Sequence, residues 1–200
     1  AVMKITNFEA LIDERTMKKK TMIVLMSAFL LLSAFSCGGG NKANSTSEQS
    51  EETAVNVPQF DADSAYLYVK NQVDFGPRVP NTKEHVACGN YLAGQLEAFG
   101  AQVTNQYADL IAYDGTLLKA RNIIGSYKPE SKKRIALFAH WDTRPWADND
   151  PDEKNHNTPI LGANDGASGV GALLEIARLV NQQQPELGID IILLDAEDYG

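Results

Sequence analysis

Two short apolar runs constrain the fold more than any other feature of the chain. Ile135-Ala136-Leu137-Phe138-Ala139 leads into His140-Trp141-Asp142, and Ile189-Asp190-Ile191-Ile192-Leu193-Leu194 leads into Asp195-Ala196-Glu197-Asp198. Between them Val170, Leu173, Leu174, Ala177 and Val180 recur at helical spacing, and Pro185 and Gly188 stop that helix. Strand, loop, helix, strand describes a βαβ unit, whose strands run parallel with the helix on a sheet face. The expectation is an α/β fold with a mixed, mainly parallel central sheet and helices on both faces. Ile135 to Ala139, a continuous apolar run, is expected to be buried on both sides. Ligands of such sheets bind beyond the carboxyl ends of the strands. That is where this chain gathers its acids and a histidine.

The preceding chain supplies scaffold. Asp61 or Asp63 can cap a helix carrying Tyr66, Val69 and Val73, which Phe75-Gly76-Pro77-Arg78-Val79-Pro80-Asn81 breaks. Thr82 opens a second helix, Glu84 to Phe99, stopped by Gly100. Val103 to Leu110 and Leu117 to Gly125 read as a hairpin around Asp114-Gly115. Lys128 to Arg134 reads as a solvated basic loop. Trp141 to Leu161 is long, polar and interrupted by proline, the kind of loop that is usually functional. Cys88 shares a helix stripe with Leu92, Leu96 and Phe99 and reads as a buried structural thiol. There are no internal repeats.

The N-terminal part reads as targeting rather than fold. Met17-Lys18-Lys19-Lys20 precedes an apolar run from Met22 to Ser36, the pattern of a signal peptide and too short for a confident membrane span. Residues 1–16 lie upstream of the start at Met17, so residues 1–36 form an upstream extension plus signal peptide. Cys37 directly after this run resembles the lipidated cysteine of a bacterial lipoprotein, although Ala34 stands where leucine is usual. The alternative is ordinary cleavage at Ala34-Phe35-Ser36. Residues 37–58, rich in Ser, Asn, Glu and Gly, are expected to be a disordered tether. The implied location is the cell envelope, lipid-anchored or periplasmic, with the membrane a partner through the lipid. With two cysteines in the chain and Cys37 lipidated, no internal disulfide is possible. The formal charge of −8 argues against nucleic acid as a partner.

Three positions suggest metal chemistry. Asp165 sits in the glycine-rich turn Gly162-Ala163-Asn164-Asp165-Gly166-Ala167-Ser168-Gly169 before a helix, as a metal ligand or merely as an N-cap. Glu197 and Asp198 repel each other beyond a strand end, a placement that calls for a cation or a helix N-terminus to offset the cost. Consecutive residues leaving a strand point different ways, so one acid can bind metal while the other faces substrate as a general acid/base. His140 and Asp142, two apart, share a side, and Asp142 could orient the imidazole. His85 and His156 stand alone and do not read as ligands. Trp141 and Trp146 read as pocket walls or as packing.

His140-x-Asp142, Gly162-Ala163-x-Asp165-x-Ala167-Ser168-Gly169 and the acid pair Glu197-Asp198 resemble, in order and spacing, the zinc-dependent exopeptidase superfamily that includes aminopeptidase Y and the glutaminyl cyclases. Phe75 to Pro80, His140 to Ala147, Asp150-Pro151 and Glu197-Asp198-Tyr199-Gly200 are similar to bacterial glutaminyl-peptide cyclotransferases. The resemblance covers the chain from about Phe60. It implies that residues 59–200 are the N-terminal part of a zinc exopeptidase-like catalytic domain, truncated at the C-terminus. It also implies one zinc on Asp165 and Asp198, with Glu197 as the catalytic acid/base. His140, with Asp142, becomes either a group that supports the metal ligands without touching the metal, as in the cyclases, or a ligand of a second zinc, as in the aminopeptidases. The family's third zinc ligand, a histidine, and a further acid are expected beyond Gly200.

The implied reaction is cyclisation of N-terminal glutamine on peptides or proteins, releasing ammonia. Where the aminopeptidases usually carry Glu-Glu this chain has Glu197-Asp198, which favours the cyclase. The rivals are a di-zinc aminopeptidase of the same superfamily and a non-catalytic envelope lipoprotein.

Overall fold

The computed structural model describes residues 56–199. The upstream extension, signal peptide, Cys37 and nearly all of the tether lie outside the described residues. The elements, in order, are α1 (Ala62–Val73), α2 (Lys83–Ala98), β1 (Gln102–Ile111), β2 (Leu117–Tyr127), β3 (Arg134–His140), a 3-10 turn (Glu153–Asn155), α3 (Ala167–Gln182) and β4 (Gly188–Leu194). No described helix is long and apolar enough to cross a membrane.

Local chemistry places each boundary. The Asp61 carboxylate accepts the N–H groups of Asp63 and Ser64 at 3.0 and 3.3 Å and opens α1. Thr82 Oγ1 does the same for α2 by accepting from His85 N–H. Gly100 and Ala101 close α2 by donating to the carbonyls of Glu97 and Leu96 at 2.9 and 3.0 Å. These bonds form a Schellman motif and leave few helix-end carbonyls unpaired. At the hairpin tip Asp114 Oδ1 accepts Thr116 N–H at 2.9 Å.

Among the described residues the sheet is mixed, in the order β1-β2-β4-β3, and partly antiparallel rather than mainly parallel as expected. β1–β2 and β2–β4 pair antiparallel, and only β3–β4 is parallel. The Asp114-Gly115 turn is too short to let β1 and β2 run any way but antiparallel. Only β3 and β4 are joined by a crossover helix. β2 then meets β4 through Ile123↔Leu193, Gly125↔Ile191 and Tyr127↔Ile189, which puts their inner side chains in one row. That row packs against Cys88, Leu92 and Leu96 of α2 and Val170, Leu174 and Ala177 of α3. Both helices therefore lie on one sheet face, with α1 laid on α3 through Gly171; among the described residues no helix covers the other face that the sequence reading also gave helices.

β3 also differs from expectation. Among the described residues it is an edge strand, with Ile135 45% and Phe138 59% exposed, so these residues do not bury it on both sides. Arg134 is not a solvated loop residue either. Its guanidinium pairs with Asp190 on β4 and also donates to loop carbonyls.

Candidate active site

The parallel β3–β4 pair brings the expected groups together. His140 is in register with Leu194, and Trp141 N–H extends the ladder by donating to the Leu194 carbonyl at 3.0 Å. Asp142 therefore arrives beside the chain leaving β4. Its two carboxylate oxygens accept the N–H groups of Glu197 at 3.3 Å and Asp198 at 3.1 Å. The first task of Asp142 is thus to fix the backbone of the acid pair, since its Oδ1 lies only 3.5 Å from His140 Nδ1. Sequence spacing suggested the second contact but gave no sign of the first.

Asp165 is not spent on capping. The N-cap of α3 is Gly166, which has no side-chain capping bond. The Asp165 side chain is 68% exposed and faces His140, whose Nε2 donates to Asp165 Oδ1 at 2.8 Å. Gly166 makes this approach possible, because a Cβ there would fall 2.3 Å from the His140 carbonyl oxygen.

The two adjacent acids differ in environment. Glu197 is 62% exposed, with Oε2 at 3.8 Å from His140 Nδ1. Asp198 is half-buried, and its Oδ2 accepts Arg144 N–H at 2.8 Å. Loss of hydration, then the nearby carboxylates of Asp165 and Asp142, hold the Asp198 pKa above the ordinary value; the Arg144 N–H and His140 pull the other way. His140 is raised to about 9, mainly by Asp142, with Asp165 and Glu197 adding and burial opposing. One imidazolium thus faces four carboxylates, a strongly negative crevice at the strand ends.

That charge balance fits a divalent cation. Asp165 and Asp198 are oxygen donors from two crossings of the βαβ unit, and the Asp165 charge is near enough to disfavour the ionised form of Asp198. Among the described residues no group of three or more His, Cys, Asp or Glu side chains is arranged to hold a metal ion. The chain presents part of a donor set.

Two buried groups behind the site escaped the sequence reading. His85 does not stand alone. Its Nε2 donates to both oxygens of Asp195 at 2.9 Å, and its ring stacks on Trp141 at 4.3 Å. Asp195 also accepts the N–H groups of Arg121 and Ala196, which anchors the segment leading to Glu197. The partners are 110 positions apart, so helix periodicity could not reveal the pair. Trp141 is core, its indole N–H donating to the Arg121 carbonyl, while Trp146 stands in edge contact with Tyr113 and Tyr199. His156 pins the long loop by donating to the Asp150 carbonyl. The second missed group is Arg78, fully buried between α1 and α2.

A parallel strand pair thus ends in His-x-Asp and Glu-Asp, with an Asp on the intervening glycine turn, and this arrangement has its likenesses among known proteins. Residues 122–200 match the family model described as peptidase family M28. Among solved structures, the glutaminyl cyclase of Bacteroides thetaiotaomicron bound to N-acetylhistamine is 96% identical, with a TM-score of 0.72, and the match covers 72% of this chain and 50% of that one. A leucine aminopeptidase precursor from Bacteroides thetaiotaomicron VPI-5482 matches with the same identity, TM-score and coverage. A Zn-dependent exopeptidase from Parabacteroides distasonis ATCC 8503 is 67% identical, with a TM-score of 0.72 over 72% of this chain and 49% of that one. The chain spans about half the length of these structures, and between 23% and 30% of the curated relatives it matches. The resemblance read from the motifs holds: the chain is similar to peptidase family M28 and to solved structures that include bacterial glutaminyl cyclases and Zn-dependent exopeptidases.

Proposed function

We propose that this chain carries the acid/base and part of the zinc site of a glutaminyl cyclase, which converts an N-terminal glutamine into pyroglutamate with release of ammonia. The observation that carries the reading is the split between neighbours. Glu197 projects into the crevice, while Asp198 is held back by Arg144 N–H beside Asp165. Asp165 and Asp198 would hold the zinc, with His140 beside them and Asp142 fixing the acid pair. A zinc held there would supply Lewis acidity toward the side-chain amide oxygen of the substrate.

The remaining chemistry belongs to the protein. The substrate's α-amine attacks its own side-chain amide carbon, forming the ring C–N bond. Glu197 accepts a proton from the amine and returns it to the departing nitrogen, which leaves as ammonia. No enzyme nucleophile is needed, and holding the glutamine folded back on itself supplies much of the acceleration. The test is a Gln-initiated peptide incubated with the full-length protein. Loss of ammonia with no released amino acid supports the reading.

A second reading, an aminopeptidase, is favoured by the equally similar leucine aminopeptidase precursor and by His140 lying 2.8 Å from Asp165. It requires two zincs, with His140 as a ligand, and a released N-terminal residue.

We also infer that the segment from Met17 to Ser36, within the 1–36 upstream extension plus signal peptide, directs export and that Cys37 carries lipid, which would place the domain in the cell envelope. The basic Met17-Lys20 stretch, the apolar run and the following glycines support this. Labelling with a radioactive fatty acid should mark the wild-type protein and not Cys37→Ala.

A further inference from the structure

Arg78 is fully buried, and its guanidinium hydrogen-bonds only to backbone carbonyls. Nε donates to Trp141 O at 3.1 Å, Nη1 to Leu161 O at 2.7 Å and Gly76 O at 3.4 Å, and Nη2 to Gly162 O at 2.9 Å. Its own carbonyl accepts Thr143 N–H at 3.2 Å. Two of these acceptors matter most. Trp141 lies between His140 and Asp142, on the loop that leaves β3. Gly162 starts the turn that carries Asp165, and the Gly162 carbonyl also accepts Ala167 N–H, in the first turn of α3, at 3.1 Å. One side chain therefore bonds to both segments that build the crevice, at points within three residues of His140, Asp142 and Asp165. Gly162 sits at φ +55°, where a Cβ would meet Asp165 O and Thr143 Cγ2 at 2.4 Å and Arg78 Nη2 at 3.0 Å.

We propose that Arg78 is a positioning residue for the metal site, setting the spacing between the His140–Asp142 loop and the Asp165 turn. The proposal rests on the reading of Asp165 as a zinc ligand. A planar guanidinium can serve these carbonyls together because its five N–H donors form a rigid fork. A lysine ammonium in the same place reaches only part of that set. A loosened turn lets Asp165 drift relative to Asp198, so the loss falls on metal affinity.

The experiment measures zinc affinity by competition with a chromophoric chelator on full-length wild type, Arg78→Lys and Asp165→Asn, alongside circular dichroism and thermal unfolding of each. Arg78→Lys is expected to bind zinc roughly ten- to a hundred-fold more weakly while keeping the wild-type spectrum, the size seen when outer supports of a metal site are lost. A purely structural role would lower thermal stability and leave zinc affinity unmoved, and that result overturns the proposal. Asp165→Asn binding zinc as tightly as wild type would instead remove the reading beneath it. If Arg78→Lys fails to fold, Gly162→Ala presses on the same turn from the other side. It must weaken zinc binding while the spectrum is retained; unchanged affinity there overturns the proposal as well.

Discussion

Glu197 reaches solvent from a segment whose backbone is tied down by Asp142, so Glu197→Gln removes a proton carrier without disturbing the turn. Its turnover should fall by about 10²–10⁴-fold, the usual weight of a general acid/base, with zinc content unchanged in elemental analysis. Cys88 gives an opposite kind of expectation. Burial pushes its thiol up to about 12, so almost no thiolate exists near neutral pH. Iodoacetamide should label it only after denaturation; rapid labelling of the native protein would mean that the α2–sheet packing opens readily. The acids of the site were legible because strand ends and glycine turns leave local marks in sequence. The supports were not. Asp142 holding two N–H groups and Asp195 holding His85 depend on register between segments far apart in the chain.

β4 is the strand on which packing and register converge. Ile191 is fully buried between α2 and α3 and aligns with Gly125 on β2 and Leu137 on β3. Ile191→Ala should cost about 2–5 kcal/mol in equilibrium unfolding, as expected for a large-to-small change in a packed core. On the other face of β4, Asp190 pairs with Arg134 and accepts from Ser126 Oγ, and its pKa is lowered chiefly by the Arg134 hydrogen bond. A carboxylate depressed in this way contributes stability that is present above its unfolded pKa and lost as pH falls through the folded one. Asp190→Asn should therefore destabilise the protein near neutrality and flatten the fall in stability below about pH 4. Helix limits and the hairpin were readable, because caps, glycines and periodicity are local. Strand direction was not. The apolar run of β3 looks the same whether a strand is central or at an edge, and only pairing with β2 reveals that β4 lies inside and β3 outside.

Across the molecule, one sheet face carries the helices and the other presents Phe138, Ile192 and Ile124 in a row across three strands. At the strand ends, four carboxylates converge on His140, and this concentration of negative charge is the physical reason to place a cation there. The chain spans only about half the length of the solved structures it matches, so the decisive measurement is made on the full-length protein. A Gln-initiated peptide is followed by mass spectrometry before and after zinc is stripped with a chelator, and again after zinc is restored. Ammonia loss that stops on stripping and returns with zinc is the predicted result. Undiminished cyclisation by verified metal-free protein would contradict the assignment of Asp165 and Asp198 to a catalytic ion.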